Sequence, residues 1–319
     1  MKILSMSGFV PEAICDTVRF TGFKGDAGFS HYCAYASDYI SQVLADETID
    51  GAVFSKTCDS SRSISSYLEE SGKFLYPIAV PVVDSIDAVR YFAYVIRDYK
   101  MAVESYYKVK ITDDEIRDRL DKIEARRLEI KSLYEELERG LSYFSYIEAI
   151  HAALTKPLTE QKIEADGISD EGIPVFLAGS FLSSTGIIKT AEKCGLNIVA
   201  DDLPESGRLI KKFDHASNKD LYEQVALSVL CSSQSPTLNE FGGKILSTRM
   251  EIDAKKCKGV LMLTQKYCEP YDYYYSVLKK SLDDAAIPCL KIELDGSLDP
   301  NLHESELAAF ASMLEVNNG

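Results

Sequence analysis

Three of the eight cysteines differ from the others in their neighbours. Cys33 lies in His31-Tyr32-Cys33-Ala34-Tyr35, Cys58 in Thr57-Cys58-Asp59-Ser60 and Cys268 in Tyr267-Cys268-Glu269-Pro270, so each stands among polar or turn-forming residues. Two of them also share a longer context. Gly51-Ala-Val-Phe-Ser-Lys-Thr-Cys58-Asp59 and Gly259-Val-Leu-Met-Leu-Thr-Gln-Lys-Tyr-Cys268-Glu269 are both apolar runs opened by glycine and closed by Lys-X-Cys-acid, about 210 residues apart. Thiolates are soft metal ligands, but no CxxC knuckle or histidine cluster accompanies these, so the spacing of a structural zinc site is missing. Isolated thiolates brought from separate segments into one cleft suit an iron–sulfur cluster, and three ligands on a four-iron cluster would leave one iron open to act as a Lewis acid. Three thiols at strand ends by coincidence is the competing reading. Cys194, Cys231, Cys257 and Cys289, and with less distinction Cys15, read as small buried hydrophobes.

The elements that must position these thiols follow from periodicity. Each glycine-opened run fits a buried parallel strand, followed by a helix and then a further apolar strand, Phe74 to Val83 in the first half and Ile287 to Leu294 in the second. Each cysteine then falls where a strand ends and a helix begins, the end that faces the ligand crevice in an open α/β sheet. The expected fold is α/β: two Rossmann- or flavodoxin-like parallel-sheet domains facing a cleft, with a helical hairpin between them. The expected divisions are an N-terminal α/β domain over 1–102, a helical section over 103–160 and a C-terminal α/β domain over 161–319. Thr112 and Glu115 have the spacing of a capping box, and Ile116, Leu120, Ile123, Ile130, Leu133 and Leu137 behind them form one apolar stripe that Gly140 closes. That helix would pack on a partner from Tyr143 to Leu154 or serve as an oligomer contact. After an acidic, glycine-containing linker over 162–173, a βαβ unit runs from Val175 through a turn at Gly179-Ser180 and a helix ending at Cys194-Gly195 to a strand at Asn197. Gly179-Ser180 at a helix start would be an N-cap or an anion-holding turn.

Composition narrows the partners. A net charge of −15 and a pI near 4.8 argue against nucleic acid, which needs a basic face. An anionic ligand would require a local basic cluster, for which Lys56, Arg208, Lys211, Lys212 and Lys266 are the candidates. No segment approaches the ~20 apolar residues of a membrane span, and the amino terminus lacks the pattern of a signal peptide, so a cytoplasmic protein with no membrane partner is expected. Neither a P-loop nor a GxGxxG is present, and the four histidines are scattered. Only His31, two residues before Cys33, is near a site cysteine; a half-buried loop histidine is its plainer reading.

Cys33-Ala-Tyr-Ala-Ser37, the Cys58-Asp59-Ser60 turn, Asp201-Asp202-Leu203 followed by Arg208, and Lys266-Tyr-Cys268-Glu-Pro270 resemble the landmarks of the 2-hydroxyacyl-CoA dehydratase family, which includes benzoyl-CoA reductase subunits. Val10-Pro11-Glu12 and the closing Ala309-Phe310-Ala-Ser-Met-Leu are similar to the family as well. The resemblance implies a 4Fe-4S cluster held by Cys33, Cys58 and Cys268 between two α/β domains. It implies an ATP-driven iron–sulfur activator protein that delivers one electron to a dimer of related subunits, and an acyl-CoA substrate that loses water through a ketyl radical anion. The family's Pro-Glu-Glu-Ile reads Pro11-Glu12-Ala13-Ile14 here, leaving Glu12 as the candidate for proton transfer, and Glu304-Ser-Glu306-Leu stands where a Thr-Arg pair is common. These departures point to the partner-type (beta) subunit of a heterodimer. A homodimer, a double-cluster or aryl-CoA reductase subunit, and an electron relay without dehydratase activity of its own are the alternatives.

Overall fold

The computed structural model describes residues 2–316 except 7, 23–31, 159–161, 170–171, 183, 214–218, 233–234, 238–240, 298 and 300. In chain order the elements are β1 (Ile3–Ser5), β2 (Thr17–Arg19), α1 (Ala34–Ala45), β3 (Gly51–Ser55), α2 (Asp59–Leu68), β4 (Phe74–Ile78), α3 (Ile86–Tyr107), α4 (Asp113–Glu136) and α5 (Tyr143–Leu154). They continue with β5 (Ile173–Gly179), α6 (Gly186–Lys193), β6 (Leu196–Asp202), α7 (Leu221–Ser232), α8 (Phe241–Ala254), β7 (Gly259–Gln265), α9 (Glu269–Asp283), β8 (Cys289–Leu294) and α10 (Glu304–Val316). Two four-stranded sheets result, ordered β2-β1-β3-β4 and β6-β5-β7-β8, with every pairing parallel. The expected α/β class with two parallel sheets is borne out, and the echo between Gly51 and Gly259 has a topological counterpart: both open the third strand of a sheet with the same order.

Burial explains the unbroken apolar runs. β3 and β7 are buried along their whole length, as strands covered on both faces must be. In the first sheet Ile3 and Val53 face one apolar cluster with α3 and α4, while Leu4, Ala52 and Phe54 face a second with α1 and α2. β7 opens with glycine for a packing reason. A Cβ on Gly259 would lie 2.9 Å from the Phe310 ring and 3.1 Å from the Leu314 methyls, so α10 can lie flat against the strand only where no side chain intervenes.

The chain changes cores more than once. The amino-terminal half of α4 packs through Ile116 and Leu120 into the first unit, whereas Ile130 and Tyr134 of the same helix, and all of α5's apolar face, join the core of the second sheet. α7 returns the other way, placing Leu221, Val225, Ala226 and Val229 in the core beneath α3. The capping box forms as expected, with Thr112 N–H donating to Glu115 Oε2 at 2.7 Å and Glu115 N–H donating to Thr112 Oγ1 at 3.3 Å. Gly140 closes the following short turn at φ 97°.

Gly179-Ser180 is a correction. The helix starts at Gly186, directly after Thr185, and not at Ser180. Ser180 instead continues the strand pairing: its N–H donates to Leu263 O at 3.0 Å and its Oγ accepts from Gln265 N–H at 3.1 Å. Its backbone donor is committed to β7, so no anion-holding turn exists there. Gly179, at φ 157°, lies so close to the Leu263 carbonyl that any Cβ would collide with backbone. Gly179→Ala is therefore expected to cost more than about 2 kcal/mol of stability, read as a lowered urea midpoint at unchanged slope; an unaltered midpoint would show that β5 and β7 can part without cost.

Candidate active site between the two sheets

Parallel strands put all their carboxyl ends on one side, and a sheet whose order reverses between neighbours leaves a crevice there. Both sheets have that reversal, at β1/β3 and at β5/β7. The segments leaving these four strands line one cleft of about 740 Å³: Gly8 after β1, Thr57 and Cys58 after β3, Phe181 after β5, and Cys268 after β7. Cys33, ahead of α1, completes the set of three thiols in the same cleft. The two halves meet in a ring stack, Tyr35 on Phe181, with centroids 4.4 Å apart and planes 10° from parallel. Tyr35 is fixed from behind, its Oη lying 2.8 Å from Met6 O and 2.7 Å from Phe20 O.

Each of the three cysteines is the residue just before a helix: Cys33 before α1, Cys58 before α2 and Cys268 before α9. Unpaired N–H groups and the positive end of the helix dipole gather there, so a negative sulfur is favoured. Cys58 is the most fully engaged, with Ser61 N–H donating to its Sγ at 3.5 Å and its own N–H donating to Ser61 Oγ at 3.1 Å, a capping box with sulfur in place of oxygen. Cys268 follows Tyr267, whose φ of 65° makes the tight exit from β7, and Pro270 stands in the first turn of α9.

The thiols are electrostatic neighbours. Burial, then the nearby Cys33 and Cys58, push Cys268 well above the ordinary thiol range. Burial pushes Cys33 up to about 11, and Cys58 adds to the rise. Without a compensating cation Cys33 and Cys268 hold their protons at neutral pH, so a metal group would enter by displacing them. Among the described residues no three His, Cys, Asp or Glu side chains are grouped as ligands of a single ion. Thiols ranged around a cleft fit a polynuclear group, which places its own metal and sulfide atoms between its ligands.

Behind the thiols runs a buried string of charge. Arg208, 1% exposed, lines the cleft; its Nε donates to Asp202 Oδ1 at 3.0 Å and its Nη2 to Tyr271 Oη at 2.8 Å. Lys244 pairs with the other oxygen of Asp202. Burial, then Arg208's like charge, push the Lys244 ammonium down to about 7, and Asp202 opposes them. Asp201 holds the loop that carries Arg208, accepting from Ser206 Oγ at 2.6 Å, Leu203 N–H at 2.7 Å and Gly207 N–H at 2.9 Å. Burial raises its carboxyl to about 7 despite these donors.

Over residues 2–314 the chain matches the family model described as 2-hydroxyglutaryl-CoA dehydratase, D-component. The chain belongs to that family. It is 23% identical over 282 residues to the (R)-phenyllactyl-CoA dehydratase beta subunit of Clostridium sporogenes, covering 78% of this chain and 71% of the relative. It is 27% identical over 313 residues to the (R)-2-hydroxyglutaryl-CoA dehydratase beta subunit of Acidaminococcus fermentans, covering 89% and 82%. The segments that carried the sequence resemblance, around Cys33, Cys58 and Cys268 and at Arg208, all line the cleft.

Other sequence candidates fall elsewhere. His31 lies outside the described residues. Cys194, Cys257 and Cys289 are half-buried at the rim of the second core, and Cys15 is buried with its Sγ 3.1 Å from Tyr99 Oη. Lys56 and Lys266 are exposed, while Lys211 and Lys212 line a groove beside the cleft. Tyr271, Lys244 and the Tyr35–Phe181 stack have no spacing signal in the chain, because each depends on which loops fold together. No helix among the described residues is long and apolar enough to cross a membrane.

Glu12 lies in a separate, basic hollow with Arg19, Arg126 and Lys211. Arg19 Nη2 donates to it at 2.8 Å and Arg126 Nη2 bonds its other oxygen. Burial alone would raise its carboxyl, but Arg126 and Arg19 hold it at about 2, an ion clamped between two guanidiniums. Because the folded value lies below the ordinary one of 4.5, the stabilisation is complete above that pH and is lost as pH falls towards 2. Glu12→Gln leaves two buried cations short of a partner, so a loss of about 3–5 kcal/mol is expected at pH 7. The gap from the parent should narrow in acid; urea unfolding at several pH values reads it, and a gap that stays constant would mean the pairing carries no such weight.

Proposed function

We propose that this chain is the iron–sulfur subunit of an (R)-2-hydroxyacyl-CoA dehydratase, working beside a related subunit and supplied with electrons by an ATP-dependent iron–sulfur activator. The observation that carries the reading is the convergence of Cys33, Cys58 and Cys268, each just ahead of a helix, on one cleft between two parallel sheets. Membership in the D-component family and the two beta-subunit relatives support it, as does the donor set: three thiols suit a 4Fe-4S cluster with one iron left open. When bound, the cluster would supply one-electron transfer and a Lewis-acidic position for a substrate oxygen.

The chain's own residues do the rest. The helix starts beneath the three sulfurs offset the charge that their deprotonation creates. Arg208, anchored by Asp202 and Tyr271, keeps a permanent positive charge at the cleft wall, where negative charge developing on a thioester oxygen would be stabilised. Phe9, Tyr35 and Phe181 make the facing walls apolar, which limits water at a site of radical chemistry. Binding an acyl-CoA also calls for positive charge near its phosphates, and Lys211 and Lys212 in the groove beside the cleft supply it in a chain of net charge −15. This favours a substrate-handling subunit over a bare electron relay.

Iron and sulfide analysis with paramagnetic spectra, on protein purified without oxygen, tests the reading. About four irons per chain are expected for a 4Fe-4S cluster, lost in a Cys58→Ala, Cys268→Ala double variant. Folded protein with no iron in either form would reject it.

A further inference from the structure

The hollow that holds Glu12 carries more positive charge than Glu12 answers. It lies where the β1–β2 loop, the end of β2, α4, the loop after β6 and α7 meet, and it encloses about 530 Å³ with its open mouth. That is within the ~300–1,000 Å³ usual for small-molecule clefts. Arg19, Arg126, Arg127 and Lys211 line it, and among the described residues Glu12 is the one acid in its lining. Arg127 is fully engaged: its Nε and Nη2 donate to Glu124 at 2.7 and 2.6 Å, and its Nη1 to Ile210 O at 3.0 Å. Arg19 and Arg126 instead share the single Glu12 carboxylate. No salt bridge joins Lys211 to a described residue, although Glu251 is within its electrostatic reach. Arg19 is 6% exposed; its Nε and Nη2 donate to Glu12 Oε1 at 3.2 and 2.8 Å, while its buried Nη1 has no acceptor among the described residues. A buried donor without an acceptor is destabilising, and beside an open hollow it points to an acceptor that enters from outside the chain.

The rest of the wall says what else such a ligand carries. Ile123, Leu209, Phe213 and Val229 make it apolar between the cations. Guanidinium groups match carboxylate and phosphate alike. An inorganic phosphate, however, is hydrophilic on every side and gains nothing from apolar walls, whereas a carboxylate on a hydrocarbon body meets both kinds of surface. We propose that this hollow is a binding site for a small organic carboxylate, with its head on Arg19 and Arg126, Lys211 nearby, and its body against Ile123, Leu209 and Phe213. None of the three cleft cysteines lines the hollow, and the assignment does not rest on the iron–sulfur reading.

Calorimetric titration of the purified full chain with hexanoate tests this. Saturable 1:1 binding is expected, weakened at least about tenfold in Arg126→Gln, since a charge-assisted contact is lost. Ile123→Trp, which fills the hollow from a half-buried position without touching a charge, should weaken it as well, and Lys131→Gln, at an exposed position of α4, should not. Circular dichroism of each variant shows that it is folded. Hexanamide, the neutral counterpart, should not compete, inorganic phosphate should bind far more weakly, and coenzyme A should not displace hexanoate. Absence of saturable binding to the parent would leave Arg19, Glu12 and Arg126 as a structural clamp alone and overturn the assignment. Undiminished binding in both folded variants, hexanamide or phosphate binding as tightly as hexanoate, or displacement by coenzyme A would overturn it equally.

Discussion

The constraint on which the rest depends is the parallel direction of every strand in both sheets. A parallel pair cannot be joined by a tight turn, so the chain must cross back between strands, here through helices everywhere except between β1 and β2. The strand-to-helix exits therefore lie on one side, and where the order reverses, neighbouring exits diverge and leave a hollow. Two sheets of the same order, turned so that these hollows face, make the cleft. Helices begin there, which is why Cys33, Cys58 and Cys268 can each stand just ahead of a helix and still converge.

Holding two such sheets face to face needs contacts that neither makes alone. The chain provides them by sharing helices: α4 buries its first half in one core and its second half in the other, and α7 crosses back to pack under α3. Polar ties reinforce the junction. Arg127 Nη1 donates to Ile210 O at 3.0 Å, and Arg126 reaches across to Glu12. At the cleft itself the Tyr35–Phe181 stack sets the gap between the halves. Burying a glutamate between two arginines, and an aspartate between an arginine and a lysine, is costly unless each partner is present. These clusters fix register and orientation more than they add net stability.

Much of the architecture was legible because burial writes itself into a chain with a fixed period. The glycine-opened apolar runs at Gly51 and Gly259 read as covered strands, the Thr112 capping box marked a helix start, and the polar settings of three cysteines set them apart from the remaining five. The three-residue strands β1 and β2 are too short to show a period, and the helix after β5 begins late because Ser180 is held by β7, a partner more than eighty residues away. An amphipathic face does not say which core a helix will enter, so nothing in the chain marks α7 for the core beneath α3.

The sequence by itself determined the α/β class, the repeat of strand, cysteine and helix, and the residue types able to ligate or carry charge, because these follow from side-chain chemistry and local spacing. Only the tertiary structure decided that Cys33 joins Cys58 and Cys268 in one cleft, that Glu12 is clamped between Arg19 and Arg126 in another hollow, and that Lys211, Lys212 and Lys244 line a groove beside the cleft. The physical reason is that each of these depends on contacts between segments far apart in the chain. Local propensity sets where a strand or helix can form, whereas the packing of shared helices between two sheets sets which of their ends meet.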